Sequence, residues 1–272
     1  METQAHTLLG CDLDGTLIPV APGPDAIHAA AISELRTLLA AMPDLKLACA
    51  TGRSLDAALQ ELAARSMPVP DLFCCDVGTS VHVRAGGEWR RDPVHDADMS
   101  AASAGGDASH WRALLGGIPD LIPQAAAQQS RWKASYLLPD GKAGEVAFSE
   151  AERRLAAIGL RPSMVRSRGV RGEGALLDVL PPGITKVAGL RRMAAMCGLT
   201  LAQVVYAGDS GNDTDALLES GRAILVGNAP STLKDHVCSQ RADRTDSVFV
   251  ASLSDLAGVL AGCRHFGLAV RS

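Results

Sequence analysis

The sequence predicts an α/β fold: a doubly wound, Rossmann-like parallel sheet with a smaller α+β unit inserted into it. Three observations carry that expectation. Both ends of the chain alternate short apolar runs with longer amphipathic stretches, the rhythm of βαβ construction. Several apolar runs stop at an acid or a glycine-containing turn, as at Asp12, Thr51-Gly52 and Asp209. From about Arg84 to Pro182 the rhythm changes to grouped strands and separate helices. The core is therefore expected at residues 1–84 and 182–272, and the insertion at 85–181.

In order, Thr7 to Asp12 reads as a buried strand ending in an acid. Asp25 to Met42 sets Ile27, Ala31, Leu35, Leu38, Leu39 and Met42 on one helical face. Leu45 to Ala50 is the next strand, closed by Thr51-Gly52-Arg53. Ser54 to Arg65 is helical by pattern, Pro68 and Pro70 break it, and Leu72 to Val77 makes a third strand before Gly78-Thr79. The insertion carries Gly86-Gly87, a small-residue loop from Ala101 to Gly106, and alternating segments at Arg131 to Leu138 and Ala175 to Leu180. Ser149 with Glu152 makes a capping-box signal for a helix that Gly159 ends. Thr185 can cap a helix running to Cys197, with Gly198 just beyond. Val204 to Asp209 and Ala223 to Val226 return as strands, and Leu253 to Leu260 reads as an amphipathic helix against the sheet. The chain shows no internal repeat.

With 272 residues, 47% hydrophobic and 21% charged, the chain has the composition of a folded protein with a sizeable core and is long enough for two modules. A formal charge of -4 gives no long-range positive field to gather nucleic acid. Seven scattered cysteines, an odd count with Cys74 and Cys75 adjacent, fit neither a disulfide framework nor a paired zinc motif. They suit buried thiols in a reducing cytoplasm. No apolar run approaches the roughly 20 residues that span a bilayer, and no secretory leader is expected.

The chemistry gathers at strand ends. Asp12-Leu13-Asp14-Gly15-Thr16 follows a strand directly, so both acids lie where open α/β sheets bind ligands. In extended backbone residues i and i+2 point the same way, which crowds two carboxylates together. Their repulsion is relieved by a hard divalent cation, for which oxygen donors and a substrate phosphate are the ordinary surroundings of magnesium. One acid can then attack phosphorus while the other gives and takes protons. Thr51-Gly52 sits between strand and helix, where a hydroxyl and backbone N–H groups can hold phosphate oxygens, although a helix cap alone would also explain it. Lys186 in a first helical turn opposes the helix dipole, which suits service to a bound anion. Gly208-Asp209-Ser210-Gly211-Asn212-Asp213 ends another strand. Asp209 can complete a metal site, with Asp213 either a second ligand or the group that orients Lys186.

Taken in order, Asp12/Asp14, Thr51, Lys186 and Asp209/Asp213 give a chain that resembles the haloacid dehalogenase superfamily of phosphatases. The resemblance implies a nucleophile at Asp12, an acid/base at Asp14, and phosphate binding by Thr51, Gly52 and Lys186. It implies magnesium held by Asp12, the Asp14 carbonyl and Asp209, with Asp213 in support and Asn212 touching phosphate or substrate. The insertion is similar to that superfamily's large α/β cap. Asp76-Val77-Gly78-Thr79, Lys133-Ala134-Ser135-Tyr136 and Leu177-Asp178-Val179-Leu180-Pro181 resemble the sucrose-phosphate phosphatase family. Gly227 stands where that family often has Ser, and Thr185 where relatives commonly have Gly.

The expected substrate is a small-molecule sugar phosphate, first of all a disaccharide phosphate such as sucrose 6-phosphate. A mannosylfructose- or glycosylglycerate-type phosphate is the alternative. Lys133, Tyr136 and Gln129 are the insertion residues expected to face the sugar, since a hydroxyl-rich ligand needs donors and a flat apolar face. A phosphomutase on the same scaffold would pass phosphate from Asp12 to a sugar hydroxyl in place of water. A binding module would dispense with Asp12, Asp14 or Lys186, and all three are present. Oligomeric state is left open.

Overall fold

The computed structural model describes residues 7–20, 26–103, 106–168 and 174–268. Its first strands are β1 (Thr7–Cys11), β2 (Leu45–Ala50) and β3 (Leu72–Cys75), joined through helices α1 (Ala26–Ala41) and α2 (Leu55–Ala64). A hairpin of β4 (Ser80–Ala85) and β5 (Glu88–Arg91) leads to α3 (Pro93–Ala102) and α4 (Ala108–Leu115). Next come β6 (Ile122–Pro123), β7 (Ala134–Leu138), α5 (Lys142–Ala157), β8 (Ser163–Arg168) and β9 (Ala175–Leu180). The chain closes with α6 (Lys186–Met196), β10 (Val204–Gly208), α7 (Thr214–Glu219), β11 (Arg222–Leu225), α8 (Ser231–Gln240), β12 (Val248–Val250) and α9 (Asp255–His265).

Eight strands form one sheet in the order β12-β11-β10-β1-β2-β3-β4-β5. The first six pair in parallel, and the β4-β5 hairpin extends the β3 edge through antiparallel pairings. The chain winds outward from β1 through β2 to β3, then restarts at β10 on the other side of β1. That reversal leaves a crevice at the strands' C-terminal ends. Both faces are covered, so the strands read as nearly continuous apolar runs. Leu9 and Cys11 pack on one face with Leu35 and Leu38 of α1 and Val259 of α9. Leu8 packs on the other with Leu190 of α6, Leu217 of α7 and Val237 of α8.

Helix α6 lies unusually close to the sheet. A Cβ on Gly189 would fall 2.1 Å from the Cys74 sulfur, so only glycine permits this seam. The smaller sheet, β6-β7-β9-β8, is antiparallel throughout. One face packs on α4 and α5 through Ala134, Tyr136, Leu138, Leu177 and Val179. Its other face looks toward the crevice.

Several local expectations need correction. Ile27 is exposed, because it extends the stripe of Ala31, Leu35 and Leu38 one turn past the part that packs. Ser149 lies in mid-helix: α5 starts after Gly141, since the buried positions Gly144 and Ala147 carry the stripe upstream of the capping-box signal. The expected loop at 101–106 starts later, with α3 running to Ala102, and Ala104 and Gly105 lie outside the described residues. Glu88–Arg91 falls within the range expected for the insertion, yet β5 pairs with β4 in the larger sheet. The expected boundary at residue 85 therefore cuts a hairpin whose strands hold each other. Thr185 takes the N-cap backbone position of α6, but its buried hydroxyl finds no partner among the described residues.

Candidate active site

Strand ends bring the polar groups together. Cys11 of β1 lies in register with Ala207 of β10 and Cys49 of β2, so Asp12, Asp209 and Thr51 emerge from three adjacent parallel strands at one edge. Along β1, Leu8 and Gly10 face α6, and a Cβ on Gly10 would press on Leu190. Asp12 is the next position of that parity, and its Oδ1 accepts from Lys186 Nζ at 2.7 Å. The same ammonium donates to Asp213 Oδ1 at 2.8 Å and has no exposed surface.

Asp213 is filled by its neighbours. Its Oδ1 also accepts from the Tyr206 hydroxyl at 2.7 Å, and Oδ2 accepts from the backbone N–H groups of Asp209 and Ser210. Of the two roles open to it from sequence, this arrangement favours orienting Lys186 over direct metal ligation. Asp209 is set from the other side. Gly15 has φ +80°, and a Cβ there would lie 2.5 Å from Asp209 Oδ2, so no side chain fits. Thr16 Oγ1 donates to Asp209 Oδ1 at 3.3 Å, and Asn228 Nδ2 donates to the Gly15 carbonyl at 2.7 Å.

The electrostatics show a missing positive charge. Carboxylate oxygens of Asp12, Asp209 and Asp213 lie within 4.8 Å of one another. Three carboxylates less one ammonium leave two negative charges. Burial, then repulsion from Asp213, pushes Asp12 well above its ordinary range despite Lys186. Burial and Asp213 push Asp209 up to about 7. Burial alone would lower the Lys186 ammonium, but Asp12 and Asp213 together outweigh it and raise it. Oxygen-only donors with a charge deficit of this size fit a hard divalent cation.

Asp14 enters the same cavity with its carboxylate turned aside. Arg53 clamps it through Nε and Nη2, both at 2.8 Å. Thr51 is buried, and its Oγ1 accepts from the Arg53 N–H at 3.1 Å. Asn212 lines the cavity, its Oδ1 accepting from Ser210 Oγ at 2.9 Å.

The cavity encloses about 370 Å³. Asp12, Asp14, Gly52, Arg53, Asp209 and Asn212 form its floor, while Gln124, Gln128, Lys133, Ser135, Leu176 and Asp178 come from the smaller unit. Lys133 is buried and bridges the two, donating to the Gly52 carbonyl at 2.8 Å with Asp76 Oδ1 at 3.3 Å.

Two expected sugar-facing residues lie elsewhere. Tyr136 points into the core with α4 and α5, its hydroxyl without a partner among the described residues. The reason is parity: Lys133 and Tyr136 are three apart, hence on opposite faces of a strand, and Ser135 shares the face of Lys133. Gln129 is spent on backbone, its Oε1 accepting from Ser135 N and its Nε2 donating to the Ser135 and Gln124 carbonyls. Its neighbour Gln128 lines the cavity instead. Sequence reasoning also missed Arg53, Gln124, Ser135 and Asp178. The period-two rule along Arg131 to Leu138 was the signal that identifies Ser135.

This is the architecture of the haloacid dehalogenase superfamily, and within it of a sugar phosphatase, a phosphoric monoester hydrolase. The chain belongs to the sucrose-6F-phosphate phosphohydrolase family, whose profile matches residues 5–267. A mannosylfructose-phosphate phosphatase of Agrobacterium fabrum is 29% identical over 265 residues, 96% of this chain and 97% of that protein. A glucosylglycerol-phosphate synthase of Pseudomonas anguilliseptica is 28% identical over 260 residues, 96% of this chain but 31% of that protein. The solved sucrose-phosphatase of Synechocystis sp. PCC6803, in complex with sucrose and phosphate, matches with a TM-score of 0.78 at 25% identity, over 97% of this chain and 98% of that one. Among the described residues no helix is long and apolar enough to cross a membrane.

Proposed function

We propose that this chain hydrolyses a disaccharide phosphate, with sucrose 6-phosphate the first candidate, through a phospho-aspartyl intermediate on Asp12. The observation that carries the reading is the shared cavity: two acids of one strand end on its floor, and hydroxyl-binding side chains of the inserted cap above them. Asp12 attacks phosphorus as the sugar oxygen leaves, and Lys186 neutralises charge on the attacking carboxylate and the phosphoryl oxygens. Thr51, the Gly52 backbone and Asn212 hold the remaining phosphoryl oxygens. Asp14 protonates the departing sugar oxygen, then takes a proton from the water that cleaves the aspartyl phosphate to inorganic phosphate.

Before it can carry a proton, Asp14 must leave the Arg53 clamp, since both of its oxygens accept there. Asp12, Asp209 and the Asp14 carbonyl would hold magnesium, with Asp213 behind them, and the bound ion would supply the positive charge that these acids need beside a phosphate. Residues 1–84 and 182–272 then act as the core and the insertion as a cap that excludes water, with the β4-β5 hairpin counted to the core. A reducing cytoplasm suits seven free cysteines, five of them buried.

The extensive likeness to a mannosylfructose-phosphate phosphatase supports one second reading, mannosylfructose phosphate in place of sucrose 6-phosphate as substrate. A phosphate-release panel of sucrose 6-phosphate, mannosylfructose phosphate, glucose 6-phosphate and fructose 6-phosphate tests both. Equal kcat/KM on all four would overturn the disaccharide preference and leave the phosphatase standing.

A further inference from the structure

The loop after β11 carries a polar side chain that the phosphoryl chemistry does not use. Asn228 is exposed, so packing does not account for it. Its amide nonetheless joins three segments distant in the sequence. Nδ2 donates to the Gly15 carbonyl at 2.7 Å and to Asp209 Oδ2 at 3.4 Å, while Oδ1 accepts from the Asp255 N–H at 2.9 Å, where α9 begins. A carbonyl on one side and an N–H on the other leave the amide a single orientation. The loop itself is anchored on both sides of Asn228. Gly227 N–H donates to the Leu253 carbonyl at 2.7 Å, and Lys234 Nζ of α8 donates to the Gly227 carbonyl at 2.7 Å.

From that base Asn228 reaches the oxygens that fit a cation. Gly15 is fixed through both of its peptide groups: its N–H donates to the Ile18 carbonyl at 2.7 Å, and its carbonyl accepts from Asn228. The Asp14 carbonyl shares a planar peptide unit with that N–H, so it cannot turn while both bonds stand. Asp209 is steadied as well, with Thr16 Oγ1 on Oδ1 at 3.3 Å and Asn228 Nδ2 on Oδ2 at 3.4 Å. Two long contacts from neutral donors orient a carboxylate and leave most of its acceptor capacity for an ion.

We infer that Asn228 is a positioning residue for the magnesium site, fixing the spacing between the Asp14 carbonyl and the Asp209 carboxylate. The assignment rests on the magnesium reading of the proposed function. Spacing matters because magnesium demands near-octahedral oxygens at about 2.0–2.1 Å, whereas calcium accepts longer and less regular contacts.

The test is calorimetric titration of wild type, Asn228→Ala and Asn228→Asp with magnesium and with calcium, in the absence of substrate. Asn228→Ala should weaken magnesium binding about 10- to 100-fold and calcium binding by less than about threefold. Asn228→Asp keeps an acceptor for the Asp255 N–H, loses both donations and adds a charge. That charge acts on both divalent ions alike, so the ratio of the two dissociation constants should shift as it does in Asn228→Ala. Equal weakening of the two ions in Asn228→Ala overturns the assignment, as does an unchanged magnesium affinity there. A ratio that shifts in Asn228→Ala but not in Asn228→Asp overturns it too, because the tie to α9 would then set the site. Circular dichroism checks the fold, and if Asn228→Ala does not fold, the ratio in Asn228→Asp decides between the same outcomes. A wild type that binds no magnesium overturns the magnesium reading together with this assignment, whereas variants that match a magnesium-binding wild type overturn the assignment alone.

Discussion

On the floor of the cavity the acidic side chains sit just past the ends of parallel strands, whereas on the roof Ser135 and Asp178 project from the middle of antiparallel ones. The two placements are specified differently. A strand end is fixed by where the apolar run stops, so Asp12 and Asp209 remain at the edge whatever packs on the faces. A mid-strand position is fixed by parity, so a slip of one residue exchanges cavity for core. Floor variants should accordingly damage every substrate, and roof variants should discriminate among substrates.

The largest effect expected is on the floor. Asp12→Asn should cut turnover roughly 10⁴-fold or more on sugar phosphate and p-nitrophenyl phosphate alike. Steady-state rates near wild type in a folded variant would remove Asp12 as nucleophile. Asp14→Asn should cost about 100- to 10,000-fold on a sugar phosphate. Read as kcat/KM, which reports formation of the aspartyl phosphate, it should cost much less on p-nitrophenyl phosphate, whose leaving group departs without a proton. Equal loss of kcat/KM on both would mean that Asp14 does not serve as the acid.

The third effect is on metal binding. Burial and Asp213 push the Asp209 carboxyl up to about 7, so a proton competes with the cation below that pH. Magnesium affinity should rise with pH toward 7, by up to about tenfold per pH unit for the Asp209 proton and more steeply where Asp12 is protonated as well, as calorimetry would read it. Chelation should abolish activity, and added magnesium should restore it. A pH-independent affinity would take Asp209 out of the site.

Lys133 is where roof meets floor, and it sharpens the contrast. Its ammonium holds the Gly52 carbonyl, so Lys133→Met should cost about tenfold on both substrates. A loss confined to sugar phosphate would make it a pure sugar contact. The smallest effect belongs to Tyr136→Phe. Its unpartnered hydroxyl faces the cap core, so kcat/KM should stay within about twofold and stability within about 1 kcal/mol, checked by kinetics and a urea melt.

The floor was legible because its signals are local. Asp12-Leu13-Asp14-Gly15 and Gly208-Asp209 place acids and glycines beside apolar runs, and the structure puts them at neighbouring strand ends. Arg53 is harder to read because its partner Asp14 is thirty-nine residues away, and the pairing of β1 with β2 brings the two together. The roof was harder to read. Lys133-Ala134-Ser135-Tyr136 offers a lysine and an aromatic of opposite parity, and residue type favours the aromatic where strand parity favours the serine that shares the lysine's face. Gln129 failed for another reason: adjacent amides look alike, and only the local fold shows which one is consumed by backbone. Ser149 with Glu152 misled because a box-like pair inside a long helix has the same letters as one at its start.

The seam between α6 and β3 has a consequence of its own. Lys186 stands three residues before Gly189 on α6, and Gly189 rests against the Cys74 sulfur with no room for a methyl. The height of that helix above the sheet thus sets the reach of the Lys186 amine toward Asp12. A single added carbon at Gly189 would act as a shim, tilting the helix and drawing the amine back without touching any reacting atom. Catalytic geometry is gauged by the thickness of one glycine on a face the substrate never meets.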